Sequence, residues 1–301
     1  MGKRLRERLE RPGIIVAPGV FDALSARICE IAGFEVLQHT GYGTAASLLA
    51  KPDVGLLSFG EMRDQLYRMV HAVDIPVIGD GDNGFGNAVN VDRTVREYIW
   101  AGAAGLFVED QVIPKRCGHM SGKAVISEDE MMGKLRAAMS ARDQEDRSAL
   151  IVYRTDAVAV NGLEDALSRA KRAADLGVDM VFVEALESLD QMEIAVEEVP
   201  VPLMLNLVEG GRTPLVSPSV AEQMGFKYLM YPVTPLFAGA KAMLDVMSDV
   251  RKNGLSDSTV SLSMDFAEFA EVVRLDHIRE IENDFLPVES LNRYGDNRGI
   301  L

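Results

Sequence analysis

Three carboxylates stand out before anything else: Asp80 and Asp82, two positions apart, and Glu109. Each follows a short apolar run. Residues two apart in an extended chain face the same side, so Asp80 and Asp82 point together. Neighbouring carboxylates repel unless a cation sits between them. An oxygen-only set suits Mg²⁺ (or Mn²⁺), which takes one or two carboxylates and completes its shell with water and substrate. An EF-hand is excluded, because position twelve counted from Asp80 is Val91 where a bidentate Glu is required. Histidine–cysteine zinc chemistry lacks spaced ligands. Gly84 and Gly86 read as a tight turn.

A second concentration lies in Pro114-Lys115-Arg116-Cys117-Gly118-His119-Met120-Ser121-Gly122-Lys123. It gathers three cations, a thiol, a histidine and two glycines. Nearby positive charge lowers a thiol pKa and makes it reactive. Glycines suit a segment that closes over a site and excludes water. Cys117 is therefore read as functional. Cys29, on the apolar face of a helix, is read as a small core hydrophobe. His39, His71 and His277 lack such company and are read as structural or surface residues.

These groups need a scaffold, and the alternation of short apolar runs with helical patterns supplies one. The runs are 14–17, 36–38, 77–79, 105–108, 150–153, 180–183, 203–205 and 228–230. Continuous apolar runs fit strands buried on both faces of a parallel sheet. Between them, 163–176 has helical spacing and stops at Gly177. The stretch 238–252 ends in Arg251, Lys252 and then Gly254, a dipole complement and a C-cap. Eight β-then-α units predict an α/β fold, a closed (β/α)8 barrel. An open doubly wound sheet would carry a Gly-rich phosphate turn after its first strand. Here Pro18-Gly19-Val20-Phe21-Asp22 follows instead.

Catalytic groups of such barrels sit where strands end. The ends read Thr40-Gly41-Tyr42-Gly43, Asp80-Gly81-Asp82, Glu109-Asp110-Gln111, Arg154-Thr155-Asp156, Glu184, Asn206 with Glu209, and Tyr231-Pro232. Ionisable groups at four consecutive ends exceed what barrel packing asks for. Beyond the barrel (1–255), an extension (256–301) carries a predicted amphipathic helix over 265–285, with Asp265 and Glu268 as a capping box. Phe266, Phe269, Val273, Ile278 and Ile281 form its stripe, which a closed barrel does not need and a second subunit would bury.

Composition bounds the partners. Net charge is −15 over 301 residues, which disfavours nucleic acid and anionic membrane. A small anionic substrate would need local cations or a metal. With two cysteines and no disulfide framework, a reducing, cytoplasmic setting is expected. The charged N-terminal stretch reads as a short helix stopped near Pro12-Gly13 rather than a secretory signal. No apolar run reaches a membrane-spanning length.

Over roughly residues 10 to 290 the chain resembles the isocitrate lyase/phosphoenolpyruvate mutase superfamily. The carrying motifs are Thr40-Gly41-Tyr42-Gly43, Lys51-Pro52-Asp53-Val54-Gly55, Asp80-Gly81-Asp82, Glu109-Asp110-Gln111, Lys115-Arg116-Cys117-Gly118-His119, Arg154-Thr155-Asp156-Ala157 and Asn206-Leu207-Val208-Glu209-Gly210-Gly211. The Lys-Arg-Cys-Gly-His run is similar to the short methylisocitrate and dimethylmalate lyases and to carboxyphosphonoenolpyruvate mutase. It therefore leaves carbon–carbon lysis and phosphonomutase chemistry both open. The family commonly has Ser at 40, Ala at 81 and Ala at 153, where this chain has Thr40, Gly81 and Tyr153.

The resemblance implies Mg²⁺ held chiefly by Asp80, with Asp82 and Glu109 acting through waters. It implies that Thr40, Gly41 and Tyr42 hold substrate oxygens, that Arg154 binds the same end, and that Cys117 protonates a carbanion as general acid. Asp53, Lys115, Gly118, His119, Glu184 and Asn206 match further active-site positions. Asp53, Glu109 and Tyr42 are candidates for the base. The family also implies a last helix exchanged between subunits, in a homotetramer built from dimers.

Overall fold

Each apolar run does form a strand in the computed structural model, which describes residues 1–118 and 122–292. The strands are β1 (Ile15–Val20), β2 (Leu37–His39), β3 (Val77–Asp80), β4 (Gly105–Glu109), β5 (Leu150–Thr155), β6 (Met180–Val183), β7 (Leu203–Asn206) and β8 (Tyr228–Tyr231). All pairs are parallel, and β8 closes on β1, with Ile15 opposite Tyr228 and Pro18 opposite Tyr231. The predicted closed barrel is therefore the observed fold.

Helices α1 (Gly2–Glu10), α2 (Ala23–Ile31), α3 (Gly41–Leu49), α4 (Phe59–Ala72), α5 (Ala88–Trp100), α6 (Glu128–Glu145), α7 (Val158–Asn161), α8 (Leu163–Leu176), α9 (Leu189–Glu198) and α10 (Pro218–Met224) surround or lead into it. Then come α11 (Thr234–Asn253), α12 (Asp257–Val260), α13 (Phe266–Val272), α14 (Leu275–Phe285) and α15 (Val288–Asn292). Two compact units result, Met1–Leu236 and Phe237–Leu301. No helix among the described residues is long and apolar enough to cross a membrane.

Two hydrophobic layers build the barrel. Inside it, Ile15, Val36, Ile78, Phe107, Val152, Phe182, Met204 and Tyr228 interdigitate, and Leu5 from α1 joins them. Outside, Leu37, Leu66, Leu106, Ile151, Val181 and Leu229 meet the helices. The alternation follows from the two-residue period of a strand. It also sorts the polar residues at the strand ends: Arg154 shares the inward side with Val152, and Tyr153 shares the outward side with Ile151.

Three boundaries differ from the sequence reading. Most strands run one or two residues further, taking in Asp80, Glu109, Arg154, Thr155 and Asn206. A parallel ladder pairs backbones and continues through polar side chains, which hydropathy does not register. The first strand likewise continues through Pro18-Gly19-Val20, and a Cβ on Gly19 would come within 2.1 Å of the Pro232 carbonyl oxygen. The late helix divides, because Val273 (φ −88°, ψ 11°) leaves the helical region and Arg274 is left-handed at φ +56°. Asp265 and Glu268 do form the capping box. Phe266, Phe269, Val273, Ile278 and Ile281 are all exposed.

Candidate active site

The strand ends converge on a buried acidic chamber. Thr40 caps α3, its hydroxyl accepting from Gly43 N–H at 3.4 Å, so the Thr-Gly-Tyr-Gly motif is the first turn of a helix. Such a terminus presents free N–H groups and favours anions. Asp80 already uses one of them: its Oδ2 accepts from Gly41 N–H at 2.7 Å, while Oδ1 accepts from Asp82 N–H at 3.0 Å. A Cβ on Gly41 would lie 2.8 Å from Asp80 Oδ2, so the approach needs glycine. Gly81 is similarly required, since a Cβ there would lie 2.4 Å from the Phe107 carbonyl oxygen. The family's usual alanine does not fit this backbone.

Lys115 stands among the first carboxylates. Its Nζ is 2.7 Å from Asp53 Oδ2 and 2.6 Å from Asp82 Oδ1. Among the described residues the Lys115 ammonium is the one group that meets Asp82 Oδ1. Burial pushes the Asp82 carboxyl up to about 7 against the pull of Lys115. Burial alone would lower the Lys115 ammonium, but Asp82, Asp53, Asp80 and Glu109 outweigh it and hold its pKa well above the ordinary lysine value. Asp82 has φ +46° and Ala185, following Glu184, has φ +62°. Non-glycine residues in that region carry strain, and such strain clusters at functional sites.

Arg154 forms the second centre. Its Nε is 2.9 Å from Asp156 Oδ2 and 3.2 Å from Glu109 Oε2, and its Nη2 is 3.1 Å from Glu184 Oε2. The guanidinium lies over the Phe182 ring, 5.0 Å from its centroid. Asn206 Nδ2 donates to Glu184 Oε2 at 3.2 Å. Burial drives Glu109 well above the carboxylate range, with Arg154 opposing. Burial would raise Asp156 too, but Arg154 and Lys123 overcome it and bring it down to about 2.

The Cys117 segment lies over this centre. Cys117 is half-buried, and its backbone N–H donates to the Asp53 carbonyl at 3.1 Å. Gln111 clasps the Arg116 backbone, accepting from its N–H at 2.9 Å and donating to its carbonyl at 2.8 Å. A Cβ on Gly118 would fall 2.4 Å from Glu184 Oε2 and 2.5 Å from Arg154 Nη2. Glycine is therefore what lets the backbone beside Cys117 rest on the ion pair. His119 lies outside the described residues. Cys29 is buried, as expected of a core residue, and burial pushes its thiol up to about 11. His71 stacks on Tyr67 and His277 is exposed; His39 is fully buried.

Sequence reasoning gave no role to Asp156, Lys123 or Asp110. Asp156 was readable from spacing, being two residues from Arg154 and just past the end of β5. Asp110 lies on the opposite, outer side. Its Oδ2 accepts from Tyr153 Oη at 2.9 Å and Thr155 Oγ1 at 2.8 Å, and its Oδ1 from Asp156 N–H at 2.9 Å. Tyr153, where the family has Ala, thus braces the back of the strand that carries Arg154. Nothing in its own run signals that partner.

The donor set fits a hard divalent cation. Asp53, Asp80, Asp82, Glu109, Asp156 and Glu184 face the cations Lys115, Lys123 and Arg154, an excess of carboxylate. Glu109 Oε1 is buried without a hydrogen-bond partner, and Asp82 Oδ1 meets the Lys115 ammonium. Among the described residues no three His, Cys, Asp or Glu side chains converge to hold an ion directly.

The chain matches the family model described as phosphoenolpyruvate phosphomutase over residues 5–251. It is 40% identical over 282 residues to the 2,3-dimethylmalate lyase of Eubacterium barkeri, covering 94% of this chain and 97% of that one. Among solved structures, oxaloacetate acetylhydrolase in complex with 3,3-difluorooxalacetate superposes with TM-score 0.89 at 35% identity, covering 94% and 96% of the two chains. Phosphonopyruvate hydrolase, solved with oxalate and Mg²⁺, superposes at 0.85 with 27% identity, covering 95% and 99%. The chain belongs to the phosphoenolpyruvate phosphomutase family, within the PEP mutase/isocitrate lyase superfamily.

Proposed function

We propose that this chain is a carbon–carbon bond lyase that cleaves a 2-hydroxy di- or tricarboxylate, of the dimethylmalate or methylisocitrate kind, to a 2-oxo acid and a second carboxylate. The observation that carries the reading is Gly118, next to Cys117, seated on the Arg154–Glu184 pair, with Arg154 also reaching Glu109. The proposed proton donor is thus next in sequence to the residue that rests on the proposed anion-binding arginine, which in turn reaches one of the proposed cation-binding carboxylates.

Asp80, with Asp82 and Glu109, would hold Mg²⁺ (or Mn²⁺). When bound, the ion supplies Lewis-acid stabilisation of negative charge on the substrate oxygens. Arg154 and the α3 terminus at Thr40, Gly41 and Tyr42 bind and orient the carboxylate beside the hydroxyl. Among the base candidates, Asp53 Oδ2 is engaged by Lys115, whereas Glu109 Oε1 has no hydrogen-bond partner. The hydroxyl proton passes to one of these candidates, Asp53, Glu109 or Tyr42. The oxygen forms a carbonyl, the adjacent C–C bond breaks, and its electron pair passes to the carbon beside the second carboxylate. Cys117 gives that carbon a proton. Lys115 and His119 position the second carboxylate, with Asn206 and Glu184 bounding the site.

Release of 2-oxo acid from methylisocitrate, 2,3-dimethylmalate and malate, with Mg²⁺ and with EDTA, tests this. Turnover of at least one hydroxy acid, lost in EDTA, is expected. No turnover of the panel, with conversion of a carboxyphosphonate or phosphonopyruvate substrate instead, would establish the phosphonomutase alternative. The exposed stripe on α13 and α14 supports a helix-exchanged homotetramer. Truncation before Asp265 should give smaller or aggregated species; a soluble, fully active monomer would refute it.

A further inference from the structure

Lys123 is a lysine with only 2% of its side chain exposed, paired with a fully buried Asp156. Lysines are rarely buried so deeply unless their charge is compensated. Its Nζ donates to Asp156 Oδ1 at 2.7 Å and also to the Gly118 carbonyl oxygen. Asp156 in turn receives Arg154 on both oxygens, at 2.9 and 3.2 Å. Gly118 rests on the Arg154–Glu184 pair. One ammonium thus joins the backbone next to the thiol to the carboxylate that orients the arginine.

We infer that Lys123 is a positioning residue: through Asp156 and the Gly118 carbonyl it couples the seat of Cys117 to the orientation of Arg154. The inference rests on the proposed reaction only for the roles of Cys117 and Arg154; the coupling itself is a property of the protein without substrate. The ammonium need not touch the reacting atoms. It does two things at once, neutralising Asp156 so that the carboxylate can lie beside Glu109 and Glu184, and tethering the chain that carries the thiol.

The test is alkylation of Cys117 by iodoacetamide, followed by peptide mass in the full-length protein without substrate, from pH 6 to 10. The plateau rate at high pH reports access, and the midpoint reports thiolate stabilisation. Lys123→Met should raise the plateau on the order of tenfold by releasing the segment. Lys123→Arg, which can reach both oxygens, should stay within about threefold of wild type. Cys29 is the internal control, because only unfolding exposes it. If Lys123→Met also unmasks Cys29, Asp156→Asn provides the second variant, predicted to free Cys117 alone. An unchanged Cys117 plateau in a folded Lys123→Met protein overturns the inference. So does a parallel rise at Cys29 and Cys117 in both variants, which would show a role in stability only. With a turned-over substrate, kcat should fall more than KM rises, and Lys123→Arg should restore it. Absence of lyase activity in the wild type would count against the proposed function and leave the alkylation result standing.

Discussion

Gly118→Ala is the sharpest perturbation the site offers. Its new methyl would sit 2.4 Å from Glu184 Oε2, where ordinary contact begins near 3.4 Å, so something must give by about 1 Å. The two side chains below are poorly placed to yield. Arg154 is fixed by Asp156 and Glu109, and Glu184 by the Ala185 N–H at 2.9 Å and by Asn206. The backbone should lift instead, carrying Cys117 with it. A misplacement of about 1 Å at a reacting group costs roughly 10²-fold in rate. Gly118 is not among the left-handed glycines, so alanine adds no backbone strain and the fold should survive. The assay is kcat, KM and thermal midpoint beside Gly60→Ala, whose Cβ would meet nothing closer than Ser58 Oγ at 4.0 Å. Gly118→Ala should lose roughly 10²-fold in kcat with a midpoint close to wild type, and Gly60→Ala should lose nothing. Activity of Gly118→Ala within about threefold of wild type would refute the claim that this seat places the thiol.

Three further outcomes follow from the geometry. Cys117→Ser should lower kcat by about 10²–10⁴-fold with little change in substrate binding, whereas a lowered thermal midpoint at unchanged kcat would make the cysteine structural. Asp80→Asn keeps an acceptor for the Gly41 N–H yet should abolish both turnover and the rise in midpoint that Mg²⁺ gives the wild type; full activity in EDTA would sink the metal assignment. Burial lowers His39 from 6.5 to about 4, so the unfolded chain binds its proton first as pH falls. Stability is therefore lost between about pH 6.5 and 4, by up to about 3 kcal/mol, and urea unfolding of His39→Gln should lack that part of the slope.

What the sequence revealed and what it hid divide along physical lines. Hydrophobic runs located all eight strands, because burial on both faces leaves a continuous apolar signature. Their ends were placed short because Asp80, Arg154 and Asn206 are strand residues with polar side chains. Asp80, Asp82, Glu109 and Arg154 were visible as chemistry because burying so many ionisable groups has no packing rationale. Lys123 was seen only as one of several cations, since its partner lies 33 residues away, just past the end of β5. Tyr153 and Asp110 were opaque for a similar reason, meeting across 43 residues on the outer face. The break at Arg274 left no trace either, because a left-handed arginine is written like any other.

The crowding of Arg154 has a consequence for how the site recognises its ligand. The guanidinium is already shared among Glu109, Asp156 and Glu184. If Arg154 binds a substrate carboxylate as proposed, that carboxylate would not meet an empty pocket; it would compete with the resident anions for the arginine. Exchange leaves the number of paired charges nearly constant, so raw attraction contributes little to affinity. Discrimination would then fall to fit, to which anions can present two oxygens to a guanidinium that its resident carboxylates hold in place. An oversupplied arginine of this kind holds weak, ill-shaped anions off and yields only to one that matches its fork.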